Sequence, residues 1–396
     1  MNINKIYSIS YKNPAKSRKA STQSFSGTKP IEIKGKETKA KIFASDLTYP
    51  IYERVKILCN HPALRNRPIR LMPDVHPSKT TLVGLTVKNN PNNAIPGIIS
   101  GDIGCGVLCV GLDGVDKEID YRNLDNVIKT RISGKKTKEP SCKEGFLRAL
   151  SPEIATLTRK YKITPEEIIE KLGTLGGGNH FIEIDKDTKG NHYLVIHSGS
   201  RSLGNAIYRH FDKIAQSQNP YRIRGLSYLN PDESLEYMRD MEKGMKFAKA
   251  NRRIIANEIL RQMGWREKSS FEAVHNYIDK DGFIRKGAIS AKSQEPVIIP
   301  LNMRDGAIIG RGKGNQDWNN SAPHGAGRPF SRSDASKFIP LEAYKKSMDG
   351  IYSSNISEST IDESPFAYKP PSAIIGNVKD SIEIDEQIKP EYNYKD

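Results

Sequence analysis

A chain of 396 residues with 36% hydrophobic and 27% charged positions has the composition of a folded, water-soluble polypeptide, and no run of about 18 apolar residues is present to cross a bilayer. Cys59, Cys105, Cys109 and Cys142 form no C-x-x-C pair and are too few for a disulfide framework, and the first residues lack the apolar core of a secretory signal; a reduced, cytoplasmic protein without a membrane partner is expected. The formal net charge of +16 favours phosphate-bearing partners, although charge alone does not separate nucleic acid from nucleotide or from a plain basic surface.

Residues 1–41 hold ten Lys or Arg against Glu32 and Glu37. Residues 1–30 mix Ser, Lys, Asn and Pro without a sustained period, so a flexible basic arm is expected before a folded body over 31–396. Ile51, Val55, Ile57 and Leu58 predict a helix over 48–60, after which 68–72, 81–88 and 97–112 read as strands separated by Gly and Pro turns. Helical periodicity returns over 143–172, strands near 181–185 and 193–197, and a helix after Ser202. The longest predicted helix is 232–263; then 271–311 reads as β-rich, 334–348 as helical and the last fifty residues as mixed. This order predicts an α+β fold with strands grouped in several sheets flanked by helices, rather than strict βαβ alternation.

The segments richest in chemistry sit at glycine turns. Gly101-Asp102-Ile103-Gly104-Cys105-Gly106 places a carboxylate and a thiol three residues apart where the backbone can bend sharply, a pairing suited to a metal; the alternative is a buried cysteine at a strand end. Gly176-Gly177-Gly178-Asn179-His180-Phe181-Ile182-Glu183 delivers Asn, His and Glu at the start of a strand. Alternation puts His180 and Ile182 on one face and Asn179, Phe181 and Glu183 on the other, though at a strand's mouth both faces can reach a site. His197-Ser198-Gly199-Ser200-Arg201 ends an apolar strand in a grouping suited to metal and phosphate, His275 and Asn276 follow another, and His324 lies in a turn four residues before Arg328. One carboxylate, one cysteine and three histidines suffice for two metal ions if the thiolate bridges them. Ligand softness taken alone favours zinc or iron.

In this order, the blocks Met72-Pro73-Asp74-Val75-His76, Asp102-Ile103-Gly104-Cys105-Gly106, Gly178 to Glu183, His197 to Arg201, His275-Asn276-Tyr277, Arg285-Lys286-Gly287-Ala288, Ser321 to Arg328, Ala367-Tyr368-Lys369 and Lys395 resemble the RtcB family of RNA-splicing ligases, from about residue 31 onward. The resemblance implies a single α+β domain around a dinuclear metal pocket, two Mn²⁺ ions and GTP. It implies joining of RNA 2′,3′-cyclic phosphate or 3′-phosphate ends to 5′-hydroxyl ends, on tRNA or other cleaved RNA. Carried over, Asp102, Cys105 and His180 hold one ion, while Cys105, His197 and His275 hold the other. His324 is the implied nucleophile that carries GMP, with Asp74 and Arg328 as further catalytic residues. The implied guanylate contacts are Asn179 to Glu183, His275, Asn276, Pro300, Leu301, Asn302, Met303, Ala307, His324, Gly325, Ala326, Gly327, Tyr368 and Lys395.

The chain departs from the family pattern at Pro300 to Ala307, where Leu301 and Asn302 stand in place of glycine and serine, and at Pro77-Ser78-Lys79-Thr80 in place of a glycine-lysine-glycine turn. A divergent bacterial or phage-type branch is expected, serving RNA repair or tRNA splicing as a monomer. Two other functions fit parts of the pattern. A metal-dependent RNA cyclic phosphodiesterase would need only the metal ligands, and His324, Arg328 and Lys395 argue against it. An RNA-binding module with a vestigial site would have lost ligands, and each expected ligand is present.

Overall fold

Residues 107–112 are apolar on both faces of a strand apart from Gly111, which demands cover on both sides. In the computed structural model, which describes residues 30–45, 47–78, 80–115, 118–329 and 332–396, this segment becomes the middle of the larger of three sheets. In chain order the strands are β1 (Ile31–Lys34), β2 (Lys39–Ile42), β3 (Ile69–Pro77), β4 (Leu82–Lys88), β5 (Gly106–Asp113), β6 (Phe181–Lys186), β7 (His192–Ser198) and β8 (Arg266–Val274). They continue with β9 (Asn276–Ile278), β10 (Phe283–Lys286), β11 (Ala288–Ser290), β12 (Pro296–Asn302), β13 (Gly306–Gly312), β14 (Ser321–Pro323) and β15 (Ile382–Tyr394).

The seven-stranded sheet has the order β12-β13-β15-β6-β7-β5-β8, and its first and last strands lie against each other, so the sheet curls back on itself. Val107, Cys109, Phe181 and Val195 point into the curl and pack against Val297, Ile299 and Ala307. Leu108, Val110, Ile182, Ile184, Leu194 and Ile196, on the other face, pack on the helix Pro231–Met263 through Ile255, Ala256 and Ile259. Pleating thus splits each strand between two cores. The six-stranded sheet β1-β2-β3-β4-β10-β9 and the β11-β14 pair complete the body.

The α+β expectation holds, with helices at Tyr49–Cys59, Lys143–Tyr161, Arg201–Gln218 and Pro231–Met263 where periodicity placed them. Two segments differ. The expected strand over 97–112 begins only at Gly106, because Pro96 starts a short helix (Pro96–Ile99) and Ser100 and Gly104 take left-handed φ of 57° and 68°, which ends any extended run. The expected helix over 334–348 is two helices, Arg332–Phe338 and Leu341–Ser347, divided at Pro340, whose missing N–H cannot continue the ladder. The expected basic arm falls on residues 1–29, outside the described residues, apart from Pro30.

Candidate metal and nucleotide site

Sheet register assembles the metal-ligating side chains at one end of four adjacent strands. Gly106 pairs with Ser198 on one side and Val274 on the other, and Phe181 pairs with His197. The residues just outside β5, β6 and β8, namely Cys105, His180 and His275, therefore meet His197 from β7. A β-carbon on Gly104 would lie 3.0 Å from the Met245 Cα on the long helix, so its left-handed turn also lets the Asp102–Cys105 loop approach that helix. Arg252, 1% exposed, donates from Nη1 to the carbonyls of Gly104 and Ser198, both at 2.8 Å, and ties the cysteine loop to the end of β7.

The Cys105 Sγ lies 3.4 Å from His180 Nε2 and 3.2 Å from His197 Nε2, and His197 Nε2 lies 3.3 Å from His275 Nε2. The Nδ1 of His180 donates to the Leu175 carbonyl at 3.0 Å and that of His197 to the Asn179 carbonyl at 2.9 Å, which leaves both Nε2 atoms as lone pairs facing the sulfur. Burial and the nearby Arg201 push His180 down to about 3, while burial and neighbouring histidines hold His197 and His275 well below the usual range, so these rings stay neutral. Burial and Asp102 push the Cys105 thiol up. The Cys105 S–H can donate to only one of the two facing Nε2 atoms at a time, whereas a cation at their centre would engage all of these donor atoms at once. Two such groups exist among the described residues, Asp102 with Cys105 and His180, and Cys105 with His197 and His275, the ligand atoms in each lying within 4.8 Å of one another. Asn276 orients the first group by donating to Asp102 Oδ2 at 3.1 Å.

Next to these groups, the His324 ring packs 4.7 Å from that of His275. Asp74, fully buried on β3, accepts from the His324 Nδ1 at 2.6 Å and from its backbone N–H at 3.2 Å. The Nδ1 proton is held by Asp74, so His324 Nε2 carries the free lone pair. Gly327, at φ 72°, packs where a β-carbon would lie 2.4 Å from the Asp74 carbonyl oxygen, so this turn closes on β3 only with glycine.

A cleft runs from His324 into the mouth of the curled sheet. Asn179, Phe181 and Glu183 form one wall and Pro300, Leu301, Asn302 and Met303 another. The His324 to Arg328 turn, Tyr368 and Lys395 complete it. Among the expected nucleotide contacts, Ile182 is buried in the opposite core, as pleating dictates. Ala307 lies beneath Pro300, its partner on β12, away from the cleft lining. His180, His275 and Asn276 belong to the metal groups and their support and do not line the cleft. The Asn302 side chain is engaged in its own turn: Oδ1 accepts from the backbone of Arg304 and Asp305, and Nδ2 donates to Asp305 at 2.8 Å. The divergent segment therefore folds its polar group back on itself. Arg328 donates to Tyr368 Oη at 2.8 Å and to Glu363 and the Asp362 carbonyl, behind the cleft wall.

Sequence reasoning assigned no role to His76 or Glu363. His76 lines the cleft, and its Nδ1 donates to the Asp74 carbonyl at 2.8 Å; its place two residues from Asp74 on a strand was the available signal.

Glu183 and Asp185 point the same way on β6. Asp185 is fully buried with no partner for either oxygen, whereas Glu183 accepts from Asn393 Nδ2 at 2.6 Å. Burial raises both carboxyls, Glu183 from 4.5 to about 7 because Lys395 and Asn393 partly oppose it, and Asp185 well above its ordinary range. The folded protein therefore holds protons that the unfolded chain releases. Stability should fall as pH rises from about 4.5 to 7 through Glu183. Glu183→Gln is expected to flatten that slope and to stabilise the metal-free, nucleotide-free protein by about 1–3 kcal/mol at pH 8. Denaturant unfolding at pH 5 and 8 measures this, and an equal or steeper loss in the variant would refute it.

Comparison with known proteins accords with this geometry. The family profile described as tRNA-splicing ligase RtcB matches residues 143–396. The RNA-splicing ligase RtcB of Escherichia coli (strain K12) is 30% identical over 358 residues, covering 80% of this chain and 87% of that protein. The chain belongs to the RtcB family. More distant RtcB relatives include the tRNA-splicing ligases RtcB of Aeropyrum pernix, 24% identical over 400 residues with 76% of this chain and 81% of that protein covered, and of Nanoarchaeum equitans, 26% identical over 321 residues with 67% and 66% covered. The profile match begins after Asp102 and Cys105, so these two candidate ligands lie outside it. Among the described residues, no helix is long and apolar enough to cross a membrane.

Proposed function

We propose that the protein is an RNA ligase that uses GTP and two Mn²⁺ ions to join an RNA 2′,3′-cyclic phosphate or 3′-phosphate end to a 5′-hydroxyl end, acting as a cytoplasmic monomer. The observation that carries the reading is the Asp74–His324 pair: an imidazole with its Nδ1 proton held at 2.6 Å by a buried carboxylate and its Nε2 free, beside the paired metal-ligand groups at the lip of a cleft. Asp102, Cys105, His180, His197 and His275 would hold the ions, which supply neutralisation of charge on phosphoryl oxygens.

His324 Nε2 attacks the α-phosphorus of GTP, the N–P bond forms and pyrophosphate leaves with the electrons of the broken P–O bond. The ring then carries a positive charge that Asp74, already on Nδ1, stabilises. The RNA 3′-phosphate next displaces His324 from phosphorus and takes the guanylate, after hydrolytic opening where the end is cyclic. Finally the 5′-hydroxyl attacks the activated 3′-phosphorus, loses its proton, and GMP departs.

Incubation of the protein with GTP and Mn²⁺, followed by intact-mass measurement and peptide mapping, should give a GMP adduct on His324. Opening of a cyclic phosphate without any adduct would instead make the protein a phosphodiesterase.

A further inference from the structure

The back wall of the cleft is held by a carboxylate that does not line it. Glu363 closes the 3-10 turn Glu358–Glu363 and is 3% exposed. Its Oε1 accepts from Arg328 Nη2 and, at 2.5 Å, from Arg332 Nη1. Its Oε2 accepts from the Tyr368 hydroxyl at 2.5 Å and from Lys395 Nζ at 2.9 Å. Three of these four donors, Arg328, Tyr368 and Lys395, are cleft residues, and they come from separate parts of the chain. Burial alone would raise the Glu363 carboxyl, but Lys395, Arg328 and Arg332 outweigh it and bring it down to about 2, so it is ionised throughout the working range.

Lys395 lies between two carboxylates. It bonds Glu363, while Glu183 makes no ion pair among the described residues and accepts only from Asn393. The difference follows from environment. Glu363 is a focus of three cations and stays charged, whereas Glu183 is a buried carboxyl beside Asp185 with Asn393 as its hydrogen-bond donor. Without Glu363, Arg328, Arg332 and Lys395 would repel one another, and the Lys395 ammonium, already close enough to draw the Glu183 carboxyl down, would be free to pair with it.

We propose that Glu363 is the positioning residue of the nucleotide cleft: it fixes Arg328, Tyr368 and Lys395 in one arrangement and keeps Lys395 off Glu183, leaving the two as separate contacts for a bound nucleotide. The assignment rests on the GTP reading of the cleft. It makes nucleotide affinity depend on a residue that touches no nucleotide.

The test measures guanylylation rate against GTP concentration in the full chain with Mn²⁺. Glu363→Gln keeps the shape and removes the charge. It is expected to raise KM for GTP by about tenfold or more and to leave the maximal rate within about threefold. Because Lys395 is one of the three cleft side chains that Glu363 holds, the loss in the double variant Glu363→Gln, Lys395→Met should be smaller than the product of the two single losses. A wild-type KM in Glu363→Gln, or losses that simply multiply in the double variant, overturns the proposal. Should Glu363→Gln fail to fold, Glu363→Asp, which withdraws the charge by one methylene, carries the same expectation of a raised KM, and an unchanged KM there is equally decisive. Absence of any adduct in the wild-type protein would defeat the nucleotide reading itself, a result distinct from an adduct with unaltered KM.

Discussion

Cys105→Ala is expected to abolish guanylylation while leaving the fold intact. Both candidate metal groups contain Cys105, so one substitution removes a ligand from each, whereas losing His180 or His197 removes a ligand from only one. The sulfur is also the soft, anionic member of sets otherwise built from neutral imidazoles and one carboxylate. Loss of single supporting contacts around metal sites costs about 10–100-fold in affinity, and removal of a shared ligand should cost at least the upper end of that range. In the metal-free protein the change is mild: Cys105 is a small buried side chain, and its deletion should cost about 1 kcal/mol. Metal content after dialysis against Mn²⁺, intact mass after GTP, and unfolding without metal separate these effects. Retention of both ions, or an adduct at the wild-type rate, would remove Cys105 from the shared position.

His324→Ala should form no guanylate adduct and join no 3′-phosphate ends, yet should still seal an RNA whose 3′-phosphate already carries GMP, because the last displacement uses no atom of the imidazole. Asp74→Asn is the finer variant. It preserves the shape around His324 Nδ1 but removes the charge that fixes the tautomer and stabilises the ring once it bears phosphorus. A loss of about 10²–10⁴ in guanylylation rate is expected, the range in which loss of an imidazole-orienting carboxylate falls. Single-turnover adduct formation measures it. Wild-type rates in Asp74→Asn, or an adduct that maps to a different residue in His324→Ala, would disqualify the pair as the nucleophilic unit.

Much of this site was readable before any fold was known, because its reactive residues sit in short segments beside glycine: Asp102 and Cys105, Asn179 and His180, His197, His324. The long helices were readable as well, since Pro231–Met263 and Tyr49–Cys59 keep an apolar face at helical spacing. The tail was not. Ile382–Tyr394 alternates apolar and polar residues apart from Glu386, but Pro390 and two register shifts interrupt that period, and its thirteen-residue strand exists because β13 pairs its first half and β6 its second. That strand delivers Asn393 to Glu183 and Lys395 to Glu363.

The sequence by itself determined the ligand types, their order along the chain, and, through pleating, that Phe181 and Glu183 face one way while Ile182 faces the other. Only the tertiary structure decided which of these residues meet. Strand register set Cys105 between His197 and His275, the fold of β3 against the His324 turn put Asp74 on one imidazole nitrogen, and Glu363, with no motif around it, gathered donors from positions 328, 332, 368 and 395. The physical reason is range. Periodicity and turn chemistry act over a few residues and are written locally, whereas a buried charge network depends on which distant backbones approach, and that is settled only when the sheets pair and the cores close.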